Sequence, residues 1–363
     1  MKLEGRNKIM DSERYNSFDA VRLFAALCVF FSHQMILAGY AEPALGPLGI
    51  SLASTGLYTF FALSGYLVFK SVARDYRASA YFRARVLRIF PGAIANTLFC
   101  LALGSAITTL PFGVFWRSEQ TISYFVHNAL ILIPPTQFVL PGVLADARWP
   151  VINGSVWTIK YELLCYAALF VVFHIFKHVH FLKRGWLMVT LCFIAYYICQ
   201  NTWFPKPDEN EFFSTFNSFN IARFSMTFFF GAFLAACEPY GEKIRLVILC
   251  IPASLVAFGP SVAIGRAGVI LLLALLVIEI GRSRLLFSAT YRRFGDLSYG
   301  IFLYAYPIQI FVLTRYFDGQ NFMALTALSL AFIVGCAWMS WHLVERPALK
   351  YKIAANRRIA SPR

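Results

Sequence analysis

Negative charge is scarce in this sequence. Its 363 residues hold only 18 Asp and Glu, against 33 Lys and Arg, and charged residues together make up 14%. A soluble domain carries about 25% charged residues, so this chain is too poor in charge for an ordinary water-facing surface. Tandem repeats, low-complexity tracts and a separable soluble stretch are missing. With no basic, aromatic-interleaved soluble domain to carry it, the net charge of +15 is not a nucleic-acid footprint. The eight cysteines lack close metal-type pairing and read as small apolar packing groups. His178 and His180 lack carboxylate or thiolate company, so no metal is expected. The strand alternation of a membrane barrel is absent too.

Apolar residues fill the gap. The chain is 59% hydrophobic and 17% aromatic, with a mean hydropathy of +0.62. The excess falls in blocks of roughly 16–22 residues, the length that crosses a ~30 Å hydrocarbon core. The fold class expected is an all-α polytopic membrane protein. Ten spans are expected, at roughly 18–38, 51–70, 92–110, 155–174, 185–200, 221–238, 246–258, 264–280, 297–314 and 322–342. The first follows a mixed-charge tail and lacks a small-residue cleavage pattern, so it is not a signal peptide. With the N-terminus cytoplasmic, inside segments hold 24 basic residues and outside segments five. That is the positive-inside bias, and it places both termini in the cytoplasm of a cell whose inner membrane holds the protein. One transmembrane domain, 1–363, is expected, with cytoplasmic tails 1–17 and 345–363. The long outside segment 111–154 is expected to carry a short interfacial helix at 121–133.

Ionisable residues inside spans are costly and mark function by default. Arg22 and His33 are eleven residues apart on the first span. Helical geometry puts them ~16 Å apart along the axis and nearly on one face. Arg22 reads either as a snorkelling anchor paired with Asp19 or as a functional cation. His33 reads either as a core histidine bonded to another helix or as a catalytic imidazole. Arg83, Arg85 and Arg88 crowd a cytoplasmic loop. They suit bidentate phosphate binding, topology or anionic lipid contact. In "NGSVWTIKYELLCY", Lys160 is expected to snorkel outward. Glu162 is expected to face the bundle in its outer half, within reach of His33 or in a structural ion pair. Ser64-Gly65 permits close helix packing or backbone approach to a ligand. Pro307 is expected to kink the ninth span, and Tyr304 and Tyr306 to hydrogen-bond within it.

Together these motifs resemble the membrane acyltransferase-3 family, which O-acylates extracytoplasmic carbohydrates in bacteria. The resemblance rests on Asp19, Arg22 and His33; on Phe60, Phe61, Ser64 and Gly65; and on Arg85, Arg88, Ile89 and Pro91. It rests also on Trp157, Thr158, Ile159 and Glu162, with Tyr166 following. It covers essentially the whole chain, in the family's order. Thr158 replaces a serine, and Ala305 stands where many members have a histidine before the proline, here Pro307. Some relatives append an extracytoplasmic hydrolase-like domain, and none is expected here.

The resemblance implies transfer of an acyl group, acetyl by preference, from cytoplasmic acyl-CoA to a hydroxyl of a glycan or glycolipid. It implies Arg85, Arg88 and Arg22 at the donor's phosphates, and His33 as general base. Glu162 would orient His33, Ser64 would be an improbable nucleophile, and Asp19 and Trp157 would support the site. Two rival classes stay open: a transporter or flippase for a lipid-linked glycan or small solute, and a scaffold without chemistry.

Overall fold

Each of the ten expected spans is a helix in the computed structural model, which describes residues 17–46, 48–176, 182–240, 242–284, 286 and 295–351. His178 and His180 lie outside those residues. The helices are α1 (Phe18–Leu37), α2 (Leu52–Arg74), α3 (Ala78–Ile107), α4 (Ile159–Phe176) and α5 (Leu182–Trp203). They continue as α6 (Ser218–Cys237), α7 (Glu242–Phe258), α8 (Val262–Arg282), α9 (Ser298–Tyr316) and α10 (Phe322–Ser340). Seven of the helical segments are long and apolar enough to cross a membrane, which makes this a multi-pass, all-α membrane protein. The other three are α5, α7 and α9. With 17 residues, α7 is short, and Tyr299, Tyr304, Tyr306 and Gln309 make α9 more polar.

Two short helices, Phe112–Arg117 and Glu119–Leu130, occupy the segment between α3 and α4, where a short helix was expected. A two-stranded hairpin joins α1 to α2, pairing Ala44 with Ser51 and Leu45 with Ile50. Side chains fix several helix starts: Ser51, Asn217 and Ser261 accept from the backbone N–H three residues on, at the heads of α2, α6 and α8.

The centre of the bundle is α6, whose FSMTFFFGAF run is buried on every side. A helix that is apolar all round belongs inside. It meets α2 backbone to backbone. A Cβ at Gly65 would lie 1.9 Å from the Phe228 carbonyl oxygen, and one at Gly231 would lie 2.2 Å from that of Ala62. Glycine is required at both positions. Similarly, Gly56 of α2 rests on the Ala25 carbonyl and Val29 of α1.

The end of the chain departs from expectation. A π-helical turn, Trp341–Glu345, follows α10, and helix resumes through Tyr351. Residues 345–351 therefore extend the last helical segment rather than begin a tail. Pro347, which has no backbone N–H to donate, lies two residues beyond the wide turn.

Candidate active site

Five helices, with Leu349 from the extended end of the last helical segment, meet at a cavity of about 210 Å³. Its polar lining is Arg22 of α1, Ser64 of α2, Arg85 and Arg88 of α3, Thr158 just before α4, Glu162 and Tyr166 of α4, and Ser298 and Tyr299 of α9. Leu57, Phe60, Phe61 and Phe302 supply apolar walls. The structure thus gathers Arg22, Ser64, Arg85, Arg88 and Glu162 of the candidate site residues, together with Phe60, Phe61, Ile89, Thr158, Ile159 and Tyr166 of the family motifs.

The charges are organised. Arg88 Nη2 donates to Asp296 Oδ2 at 2.5 Å, and Arg22 Nη1 reaches the same oxygen at 3.4 Å. Arg22 also meets Asp19 at 3.4 Å, the pair expected from their spacing. Arg85 donates to Ser71 Oγ at 3.0 Å, and its guanidinium lies 5.4 Å from the ring centre of Tyr81 and 5.5 Å from that of Tyr166. Behind Arg88, the Tyr299 hydroxyl donates to the Ile89 carbonyl, and the buried Glu345 accepts from Ser340 Oγ at 2.9 Å.

Glu162 departs from expectation in its partners and its level. Ser64 Oγ donates to its Oε1 at 2.7 Å, and the Tyr166 hydroxyl donates to the same oxygen. Among the described residues no hydrogen bond or ion pair joins Glu162 to His33, so the expected orienting contact is corrected. The packing of α1 on α2 gives the reason. Phe18 stacks near Tyr66 (5.6 Å between rings) and Gly56 lies against Ala25. Ser64 is therefore level with the first turn of α1, near Arg22, while His33 lies about three turns further on. Glu162, bonded to Ser64, belongs to the arginine end.

Lys160 is corrected as well. It is 1% exposed, and its ammonium donates to Thr136 Oγ1 and to the carbonyls of Phe213 and Ser214. It does not snorkel outward; one acceptor in the loop at Thr136 and two at the end of the short helix Glu209–Ser214 satisfy it inside. Trp157 does not reach the cavity. Its ring packs on Phe212, Phe213 and Phe224 beneath the Arg223 guanidinium.

His33 occupies a second place, outside the cavity lining. Its ring meets Tyr306 edge-on at 5.2 Å, and its Nδ1 is buried without a hydrogen-bond partner among the described residues. The surrounding turn is braced. Gln309 Nε2 donates to the Phe30 carbonyl and to Gln34 Oε1, both at 2.8 Å. Asn153 donates to Asn96 Oδ1 at 2.8 Å and to the Leu303 carbonyl at 3.1 Å. That anchor places Gly154 on the Tyr306 ring, where a Cβ would come within 2.6 Å.

Asp296, Gln309 and Glu345 were not singled out in the sequence. Asp296 carried a signal: it is the one acid among the four basic residues of 281–296, two residues before the helix start at Ser298.

The acyltransferase domain family matches residues 15–341, nearly the whole chain. The chain belongs to this acyltransferase-3 family. Two relatives align with the chain over almost their full lengths. An O-acetyl transferase of Shigella phage Sf6 is 27% identical over 343 residues, covering 91% of this chain and 95% of that protein. Nodulation protein 10 of Rhizobium leguminosarum bv. viciae is 27% identical over 361 residues, covering 93% and 94%. No solved structure matches this acyltransferase-3 protein. The family and the apolar helices together make the protein a membrane acyltransferase.

Proposed function

We propose that the protein carries an acetyl group from cytoplasmic acetyl-CoA to a hydroxyl of a carbohydrate or glycolipid on the far side of the inner membrane. One observation carries this reading. A single helix, α1, bears Arg22 on the wall of a cationic cavity and His33 about 16 Å further along its axis. The cavity arginines suit the donor's phosphates, and the long thioester arm suits the distance to His33.

At His33 the neutral imidazole takes the proton of the acceptor hydroxyl. The oxygen attacks the thioester carbonyl, the carbon–sulfur bond breaks, and the imidazolium returns its proton to the departing thiolate. Tyr306 and Gln309 hold the ring and its helix turn in place. The surrounding bundle keeps water from the thioester. Glu162 contributes at the donor cavity, where Ser64 and Tyr166 fix its carboxylate.

The test is thiol release by the purified protein in lipid nanodiscs, given acetyl-CoA and candidate glycans, with product mass measured. Acetylated glycan from wild type and none from His33→Ala is the expected result. A wild-type protein that neither binds CoA nor forms product with its host's surface glycans would sink the reading.

A further inference from the structure

The three cavity arginines are not equivalent. Arg88 and Arg22 share one carboxylate oxygen, Asp296 Oδ2. The other, Oδ1, is taken by the Ser298 hydroxyl at 2.5 Å and the Ser298 N–H at 3.3 Å. The Asp296 side chain is 10% exposed and has both oxygens engaged. Arg85 differs. Its described partners are the Ser71 hydroxyl and two aromatic faces, it has no carboxylate within ion-pair distance among the described residues, and its Nε is buried without a partner.

A carboxylate beside a site for an anionic donor has the wrong sign by Coulomb's law. If charge alone mattered, removing it would tighten binding. Its geometry gives it another use. Asp296 sits just before α9 and ties together an arginine of α1 and an arginine of α3, two long side chains that would otherwise sample many rotamers. Ordering them before the donor arrives removes that cost from binding.

We propose that Asp296 is a positioning residue, holding Arg22 and Arg88 at fixed places on the cavity wall and leaving Arg85 as the cation that meets the donor's phosphate charge. The inference rests on the donor reading above, and it divides the labour among the arginines.

The experiment measures CoA affinity and its salt dependence in nanodiscs for wild type, Asp296→Asn, Asp296→Glu, Arg85→Gln, Arg88→Ala and the Asp296→Asn/Arg88→Ala pair. Asp296→Asn is expected to weaken CoA binding about tenfold, although it removes a negative charge. Turnover at saturating donor is expected to stay within about threefold of wild type, a split between KM and kcat that general loosening of the fold would not give. Asp296→Glu is expected to recover part of the affinity. The double variant is expected to lose less than the product of the two single losses, because the part of the Asp296 effect that runs through Arg88 is already gone in Arg88→Ala while the part through Arg22 remains. Arg85→Gln is expected to weaken binding at least about tenfold and to flatten its salt dependence. Unchanged or tighter CoA binding in Asp296→Asn overturns the assignment, as does an Arg85→Gln protein with wild-type affinity. If Asp296→Asn does not accumulate, Ser298→Ala decides: it frees the carboxylate from one partner and is expected to weaken CoA binding a few-fold, and an unchanged affinity overturns the proposal. A wild-type protein that binds no CoA refutes the donor reading itself, whereas binding in wild type with equal binding in Asp296→Asn refutes only the role given to Asp296.

Discussion

Ser64 and Glu162 are joined across the cavity by a 2.7 Å hydrogen bond, from a hydroxyl in the middle of α2 to a carboxylate near the start of α4. The Tyr166 hydroxyl closes on the same oxygen. In Glu162→Gln these bonds fall from charge-assisted to neutral, a loss of roughly 1–3 kcal/mol. A lower melting temperature and a donor KM raised about tenfold are the expected results. The pH profile of kcat should not move, because the carboxylate does not touch His33. A displaced profile would restore the carboxylate–histidine pair that the structure lacks.

His33→Ala is expected to reduce transfer at least about 100-fold, the scale of a lost general base. Its folding cost should be small. The imidazole makes no hydrogen bond through Nδ1, and its edge contact with Tyr306 is worth about 1 kcal/mol. Activity per folded molecule, read beside a melting curve, separates the two effects. Transfer near the wild-type rate would remove His33 from the chemistry.

Burial alone would raise the Asp296 carboxyl, but Arg88, Arg22 and the Ser298 hydroxyl outweigh it and hold the group at about 2. Asp19 faces Arg22 from α1, and Glu345 faces Arg88 from beyond α10. An unfolded aspartate titrates near 3.9, about two units higher, so the unfolded chain binds this proton more readily. The stabilisation from Asp296 is therefore complete above about pH 4 and is lost as pH falls toward about 2. The melting difference between wild type and Asp296→Asn should be flat from about pH 7 to 5 and should shrink below about pH 4. A gap that closes near neutral pH would contradict the ionised state assigned here.

Lys160→Met should lower stability by about 1–3 kcal/mol, because it leaves the Phe213 and Ser214 carbonyls without their buried donor. CoA affinity should hold, since Lys160 is absent from the cavity lining. Melting curves and CoA titrations on the same preparation check both. Loss of CoA binding with normal melting would place Lys160 at the donor instead.

The fold was largely legible because long apolar runs have few alternatives in a membrane, and all ten expected segments are helices. The arginine cluster was legible as charge ahead of an apolar run, but the cytoplasmic loop expected to carry Arg83, Arg85 and Arg88 is corrected: they lie within α3, whose helix starts at Ala78 because nothing between Ala78 and the apolar run breaks it. Depth was not legible. Glu162 was assigned to the level of His33 by counting from its span's end, whereas the level is set by how α4 packs on α2, which no local pattern reports. Lys160 was misplaced because its acceptors, Thr136, Phe213 and Ser214, come from a loop and a short helix distant in sequence. Asp296 escaped because a single acid beside a span reads as an ordinary loop residue until its two arginines arrive from α1 and α3.

The glycine seam between α2 and α6 has a mechanical consequence. Where main chains touch, no rotamer change can part them, so this side of the cavity behaves as a fixed jaw. The opposing side, between α3 and α9, is closed by Arg88, Tyr299 and Asp296, which sit on rotatable stems. A donor entering between α3 and α9 is expected to part side-chain contacts there, whereas entry between α2 and α6 would have to part main chains. On a cysteine-free background, a disulfide clamping α2 to α6 is expected to leave turnover intact, and one clamping α3 to α9 is expected to arrest it until reduced. Equal turnover with either clamp would mean that the donor enters by another route.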